Sequence, residues 1–163
     1  PTNVCYVGCE LCAYGDDPNA EGTWSYSPSE CVELARRDWS PDVTEFHIVG
    51  GLHPRWKFDV YVEILRARKE AFPTMHLKAF TMVATDFLAK IGKMSVPETI
   101  TVLREAGLDS CPGGGAEIFH PEIHDQIASK KMSAERWLEV AGMVHQHGLK
   151  STIGAEISTD QAP

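Results

Sequence analysis

The chain has 163 residues, 43% of them hydrophobic and 23% charged, which predicts one globular domain with enough chain for a real core. A net charge of −8 argues against a nucleic-acid partner, because neutralising phosphates requires clustered Lys and Arg. No apolar run approaches the length of a membrane span and no charged-then-apolar leader is read, so no membrane partner is expected.

In chain order, a first strand is expected to end near Val4, with Pro1-Thr2-Asn3 reading as cut into it. Cys5, Cys9 and Cys12 follow on one loop with the spacing C-x3-C-x2-C, and Tyr14 stands just beyond them. Gly15 to Tyr26 has no helical or strand period and reads as a loop. Ser27-Pro28-Ser29-Glu30 announces a helix: a capping serine, a proline for the first turn and a capping-box carboxylate. Thr44 to Val49 reads as a β-branched and aromatic strand ending at Gly50-Gly51. Phe58 to Phe72 reads as a helix stopped by Pro73, and Met75 to Thr81 as the next strand. Ser95-Val96-Pro97-Glu98 repeats the capping box and opens a helix that stops at Gly107. Leu108 to Ser110 is a short strand running into Pro112-Gly113-Gly114-Gly115. A last helix follows Ser133 and ends at Gly148, before a strand from Leu149 to Ile153.

Strands alternating with helices predict βαβ units, a parallel sheet and a (β/α) barrel with its chemistry at the C-terminal strand ends. About five strands are read, too few to close such a barrel, so an open sheet is expected. The cysteine loop, Gly50 to Pro54 and Gly113 to Glu117 all fall at those strand ends. In the two middle strands Phe46, Ile48, Leu77 and Ala79 alternate with Glu45, His47, His76 and Lys78. Helix-facing positions should be apolar, so the polar set is expected to point into the barrel and form a substrate cavity.

Three thiolates on one loop call for a metal or redox partner. They suit a cubane iron–sulfur cluster with one iron left open. The alternatives are a zinc site completed by a distant residue, since structural zinc takes four ligands, or three buried cysteines. An odd count of five cysteines does not make a disulfide framework, so a reducing compartment, the cytoplasm, is expected. Cys31 and Cys111 stand apart and read as structural. Gly50 and Gly51 allow close backbone approach to a ligand amino group, and Gly113, Gly114 and Gly115 are read in the same way. Glu117 is read as a partner for a ribose or an amine, and His53 either as a substrate contact or as a polar loop residue. His120, His124, His145 and His147 are assigned solvated or helix-face roles.

Four runs carry a resemblance: Cys5 to Tyr14, His47 to Pro54, His76 to Thr81, and Ala106 to Phe119. Together they resemble the aminofutalosine synthases, radical S-adenosylmethionine enzymes of the futalosine route to menaquinone. The resemblance covers residues 1 to about 150. Related cyclic dehypoxanthinyl futalosine synthases and F420-precursor (FO) synthases share the cysteine loop and the Gly-rich Ala-Glu turn. It implies a partial radical-SAM TIM-type barrel over 1–150, left open by truncation, and a divergent tail over 151–163. It also implies a [4Fe-4S] cluster on Cys5, Cys9 and Cys12, and S-adenosylmethionine as a consumed cosubstrate near Tyr14, Gly50, Gly51, Gly113 to Gly115 and Glu117. The implied reaction adds the 5′-deoxyadenosyl radical to 3-[(1-carboxyvinyl)oxy]benzoate, giving 6-amino-6-deoxyfutalosine, with a flavodoxin or ferredoxin as electron donor. A substrate with two carboxylates makes Lys78, His53 and His76 the expected electrostatic partners, a role read from charge and facing. Two places depart from the family pattern. Ala84 stands where the family has a glutamate, and Ser151 to Pro163 does not continue the family sequence.

Overall fold

The computed structural model describes residues 1–10 and 12–152. Its elements in chain order are α1 (Pro28–Arg37), β1 (Glu45–Ile48), α2 (Phe58–Ala71), β2 (His76–Ala79), α3 (Met82–Gly92), α4 (Val96–Glu105), β3 (Ser110–Cys111), α5 (Pro121–Ala128), α6 (Ala134–Gln146) and β4 (Lys150–Ser151). The strands form one parallel sheet in the order β1-β2-β3-β4, in register through Phe46↔Leu77, Lys78↔Ser110 and Ser110↔Lys150. Among the described residues the sheet does not close, as expected for a partial barrel. The outer part of the strand read from Leu149, at Ile153, lies outside the described residues, as does the rest of the 151–163 tail beyond Thr152.

Two helices begin where the sequence places capping boxes. Ser27 Oγ accepts from Glu30 N at 3.3 Å while the Glu30 carboxylate accepts from Ser27 N at 2.7 Å, and Ser95 with Glu98 repeats the arrangement. The β2–β3 and β3–β4 crossovers each carry two helices, where single-helix units were expected. The additions are α3 and α5. Thr81 caps α3 by accepting from Ala84 N at 3.2 Å, but its third helical residue is Ala84 and supplies no reciprocal acid.

The fifth strand, near Val4, is corrected to isolated bridges: Val4 with Asp16 and Thr2 with Ser25. Its backbone still runs beside the segment after β1, through Gly51 N to Thr2 O at 2.8 Å and Tyr6 N to Leu52 O at 3.2 Å. Those bonds hang the cysteine loop on the end of β1.

The core lies between the sheet and helices α2, α3, α4 and α6. Leu65, Leu77, Ala79, Leu103, Val140 and Val144 are all fully buried in it. Each Leu or Val there contributes about 1.5–3 kcal/mol by leaving water. On the other sheet face the polar residues satisfy one another. Lys78 Nζ donates to Glu45 Oε1 at 2.7 Å, and His76 Nε2 lies 2.7 Å from Ser110 Oγ. The alternation therefore sets which way these side chains face, but the substrate cavity expected between them is elsewhere.

Candidate functional site

A cavity of about 250 Å³ opens at the C-terminal ends of the strands. The cysteine loop, the segment after β1, the first turn of α3 and the Pro112-to-Glu117 turn after β3 enclose it. Cys5, Cys9 and Cys12 all line its wall, with Tyr14, Gly50, Gly51, Gly115 and Glu117 from the sequence-predicted set. Gly113 and Gly114 do not: Gly113 N donates to Thr152 Oγ1 at 3.0 Å, away from the cavity. Lys78 is held by Glu45 and does not reach the wall. His53 also stays off it, stacked on Trp56 at 5.0 Å with its Nδ1 accepting from Arg55 N at 3.1 Å. Burial and the neighbouring Arg55 charge hold the His53 imidazole below its ordinary pKa.

Backbone bonds fix the loop at each cysteine. Cys5 N donates to Asp16 O at 2.9 Å, Cys12 N to Cys9 O at 3.1 Å, and Gly15 N to Cys12 Sγ at 3.3 Å. A Cβ on Gly15 would lie 3.6 Å from Cys12 Sγ and 3.9 Å from Cys5 Sγ, so both sulfurs border one small space that a side chain would fill. Among the described residues no three His, Cys, Asp or Glu side chains are grouped closely enough to hold a single metal ion. A cluster that takes one cysteine per iron asks for no such convergence. Three thiols spaced around one cavity therefore fit an iron–sulfur cluster.

The glycines after β1 have a task besides the ligand approach read in the sequence. A Cβ on Gly50 would stand 3.0 Å from Pro1 Cδ, and one on Gly51 2.2 Å from Val4 O. Their bare backbone seats the cysteine-bearing segment, which in turn aims the thiols into the cavity. Gly115, at φ +90°, similarly sits against Val83 and Thr81 at the start of α3.

Residues the sequence did not single out complete the wall. Tyr61, Phe80, Val83 and Leu88 make it largely apolar, and Ala84, singled out in the sequence, lines it beside them. The Tyr61 hydroxyl, pushed up to about 12 chiefly by burial, accepts from His53 N at 3.2 Å. Phe80 and Glu117 both take positive φ, at 59° and 55°, a conformation non-glycine residues hold only where their surroundings impose it. Glu117 pairs with Lys131, which also lines the cavity; among the described lining residues these are the two side chains of full opposite charge. Lys131 gave no signal in the sequence, because a Lys-Lys pair after a short helix is an ordinary solvated end.

No helix of the described chain is long and apolar enough to cross a membrane. Three comparisons complete the picture. The Radical SAM superfamily model matches residues 1–157. Over 148 residues the chain is 40% identical to the aminodeoxyfutalosine synthase of Thermus thermophilus, covering 91% of this chain and 40% of that protein. It is 32% identical to the 5-amino-6-(D-ribitylamino)uracil–L-tyrosine 4-hydroxyphenyl transferase of Methanopyrus kandleri, over 93% of this chain and 41% of that one. It is 34% identical to the FO synthase of Streptomyces coelicolor, over 93% of this chain and 17% of the other. The chain thus spans about two fifths or less of the length of these relatives. Methylornithine synthase shares the fold at a TM-score of 0.72 and 15% identity, over 92% of this chain and 41% of its own. Superfamily members use a [4Fe-4S] cluster and S-adenosylmethionine, which is what the thiol-lined cavity fits. With its cysteine loop, open parallel sheet and matching family model, this chain belongs to the radical SAM superfamily of enzymes.

Proposed function

We propose that this chain carries the cluster-binding part of an adenosyl-transferring enzyme of the aminodeoxyfutalosine synthase type. The observation behind this reading is the shared wall: Cys5, Cys9 and Cys12 border the same cavity as Gly51 and the Gly115-to-Glu117 turn. When bound there, the cluster and S-adenosylmethionine supply the 5′-deoxyadenosyl radical by one-electron reduction of the sulfonium. Cys5, Cys9 and Cys12 are the residues that would hold the cluster, one thiolate per iron. Tyr61, Phe80 and Val83 give the wall an apolar character, which strengthens electrostatic contacts inside it. Gly115 leaves room at the wall beside Glu117, which is the residue placed to accept from a ribose hydroxyl or an amine.

The acceptor is 3-[(1-carboxyvinyl)oxy]benzoate and the product 6-amino-6-deoxyfutalosine, with a flavodoxin- or ferredoxin-type protein as electron donor. The 40% identity to the Thermus aminodeoxyfutalosine synthase favours this acceptor over those of the other relatives. The activity is proposed for a protein of the relatives' length that contains this chain. Lys78 is not given a substrate role, because it is bonded to Glu45 and does not line the cavity.

The test has two stages. Anaerobic reconstitution with iron and sulfide should give a brown protein whose broad visible absorption bleaches with dithionite; a colourless protein holding stoichiometric zinc would refute the cluster. A full-length version is then incubated with reductant, S-adenosylmethionine and the enol ether. An adenosyl adduct is the expected product, and free 5′-deoxyadenosine without adduct would reassign the chain to one of the other radical SAM activities.

A further inference from the structure

Lys131 lines the cavity on a segment held by two backbone bonds, one closing its own turn and one joining it to the cysteine loop. Its own amide donates to Ala128 O at 2.8 Å, closing the turn after α5. Glu10 N donates to Ile127 O at 3.1 Å, docking the residue after Cys9 on that same helix end. The ammonium is thereby set in the wall that carries the three thiols, where it pairs with Glu117. Lys131 retains 12% of its side-chain exposure and Glu117 23%, so water screens the pair weakly. Val7, Leu52 and Val83 are apolar residues of the same cavity wall.

A carboxylate fixed beside a thiolate-ligated cluster opposes its reduction, because every electron taken up adds negative charge nearby. Glu117 takes a left-handed backbone conformation there, at φ 55°, and its carboxylate is held in the wall by the bond to Lys131. A cation bound to it removes most of its field. We propose that Lys131 is the countercharge that lets Glu117 stand beside the cluster, and that the balance of this pair sets the cluster's reduction potential. The inference rests on the cluster reading of Cys5, Cys9 and Cys12. Lys131 is on this view a positioning and electrostatic residue, acting on the cluster through Glu117.

The test compares the parent chain with Lys131→Met, Lys131→Arg, Glu117→Gln and the double variant Lys131→Met/Glu117→Gln. Each is reconstituted with iron and sulfide, and its iron content is measured first. Potentiometric titration at pH 8, followed by the EPR signal of the reduced cluster, then gives the midpoint. Lys131→Met should lower the reduced-to-oxidised ratio at fixed potential about tenfold, a fall of roughly 59 mV for one electron. Glu117→Gln should raise the midpoint, Lys131→Arg should stay near the parent, and the double variant should return toward it. A merely structural lysine would not give opposite shifts or be rescued by removing its partner. A double variant as low as Lys131→Met would overturn the pairing, and unchanged midpoints at full iron content would overturn the electrostatic role. If Lys131→Met takes up no iron, Glu117→Gln alone decides: an unchanged or lowered midpoint overturns the proposal. A parent chain that assembles no cluster would remove the cysteine reading as well.

Discussion

A Cβ on Gly51 would stand 2.2 Å from the Val4 carbonyl oxygen and 2.9 Å from Cys5 Cβ. Both obstacles belong to the segment that delivers the first cysteine, and one of them is backbone. Gly51→Ala must therefore push that segment away from the end of β1 and strain the bond from Gly51 N to Thr2 O. Overpacking of this kind costs about 1–3 kcal/mol. The expected outcome is a lower urea midpoint together with iron uptake well below the parent's. Parent-like iron uptake would show that Gly51 does not seat the cysteine loop.

Gly142 gives the opposite case. It lies inside α6, where a Cβ would meet nothing within 4 Å. Alanine there loses less backbone entropy on folding and meets no obstacle, so Gly142→Ala should stabilise the chain by about 0.5–1 kcal/mol. Thermal unfolding should shift upward by about 2–4 °C per kcal/mol for a domain of this size. A midpoint at or below the parent's would mean that the glycine answers to a need outside the helix.

These two glycines mark what a sequence can and cannot disclose. Local chemistry was readable: the Ser27–Glu30 and Ser95–Glu98 boxes open helices at the residues where spacing alone placed them. The cysteine spacing and the glycines at strand ends likewise locate the cavity. The helix α3 was not legible because its first turn has no acid to answer Thr81, and buried Met82, Phe87, Leu88 and Ala89 blur its apolar period. α5 was missed for a related reason, since its N-cap is His120 with no side-chain bond. Lys78 and Lys131 show the tertiary limit. Each lysine's partner is far along the chain, Glu45 for one and Glu117 for the other, and only the fold decides which of them meets the cavity.

Asp86 carries a pH dependence whose sign can be worked out. Its side chain is 4% exposed and accepts from Arg136 Nη2 at 2.6 Å, with Lys90 Nζ 2.7 Å away. Burial alone would raise its pKa, but the hydrogen bonds from Lys90 and Arg136 outweigh it and hold the carboxyl below its ordinary range. A depressed folded pKa means stability that is complete above the unfolded value of about 3.9 and is lost as pH falls through the folded one. Asp86→Ala should therefore cost about 1–3 kcal/mol at pH 7, by leaving Arg136 short of a partner. The deficit should begin to shrink below about pH 4, where the unfolded chain's carboxyl takes up its proton first, and should close as pH falls through the lower folded value. Urea midpoints at pH 7 and pH 3 give both values, and an equal deficit at the two would contradict the ion-pair account.

Thiol reactivity should divide the five cysteines into two groups. Cys31 and Cys111 are each 1% exposed, and burial pushes the Cys111 thiol up to about 12. Its thiolate fraction at pH 8 is then roughly 10⁻⁴, too small for useful nucleophilicity even if a reagent could reach it. Cys12 is exposed and Cys5 and Cys9 are half-buried, so iodoacetamide has access to the loop. Burial holds the Cys9 thiol above its ordinary pKa, only partly offset by Lys131, and leaves it less exposed than Cys12, which places Cys9 behind Cys12 in rate. In the metal-free chain, peptide mass spectrometry should find carbamidomethyl groups on Cys12 first, with Cys31 and Cys111 modified only in denaturant. Reconstitution with iron and sulfide should then protect Cys5, Cys9 and Cys12 together, since each thiolate becomes an iron ligand. Loop cysteines that stay reactive after iron uptake would mean that the iron sits elsewhere, and native labelling of Cys111 would mean that the core around β3 opens.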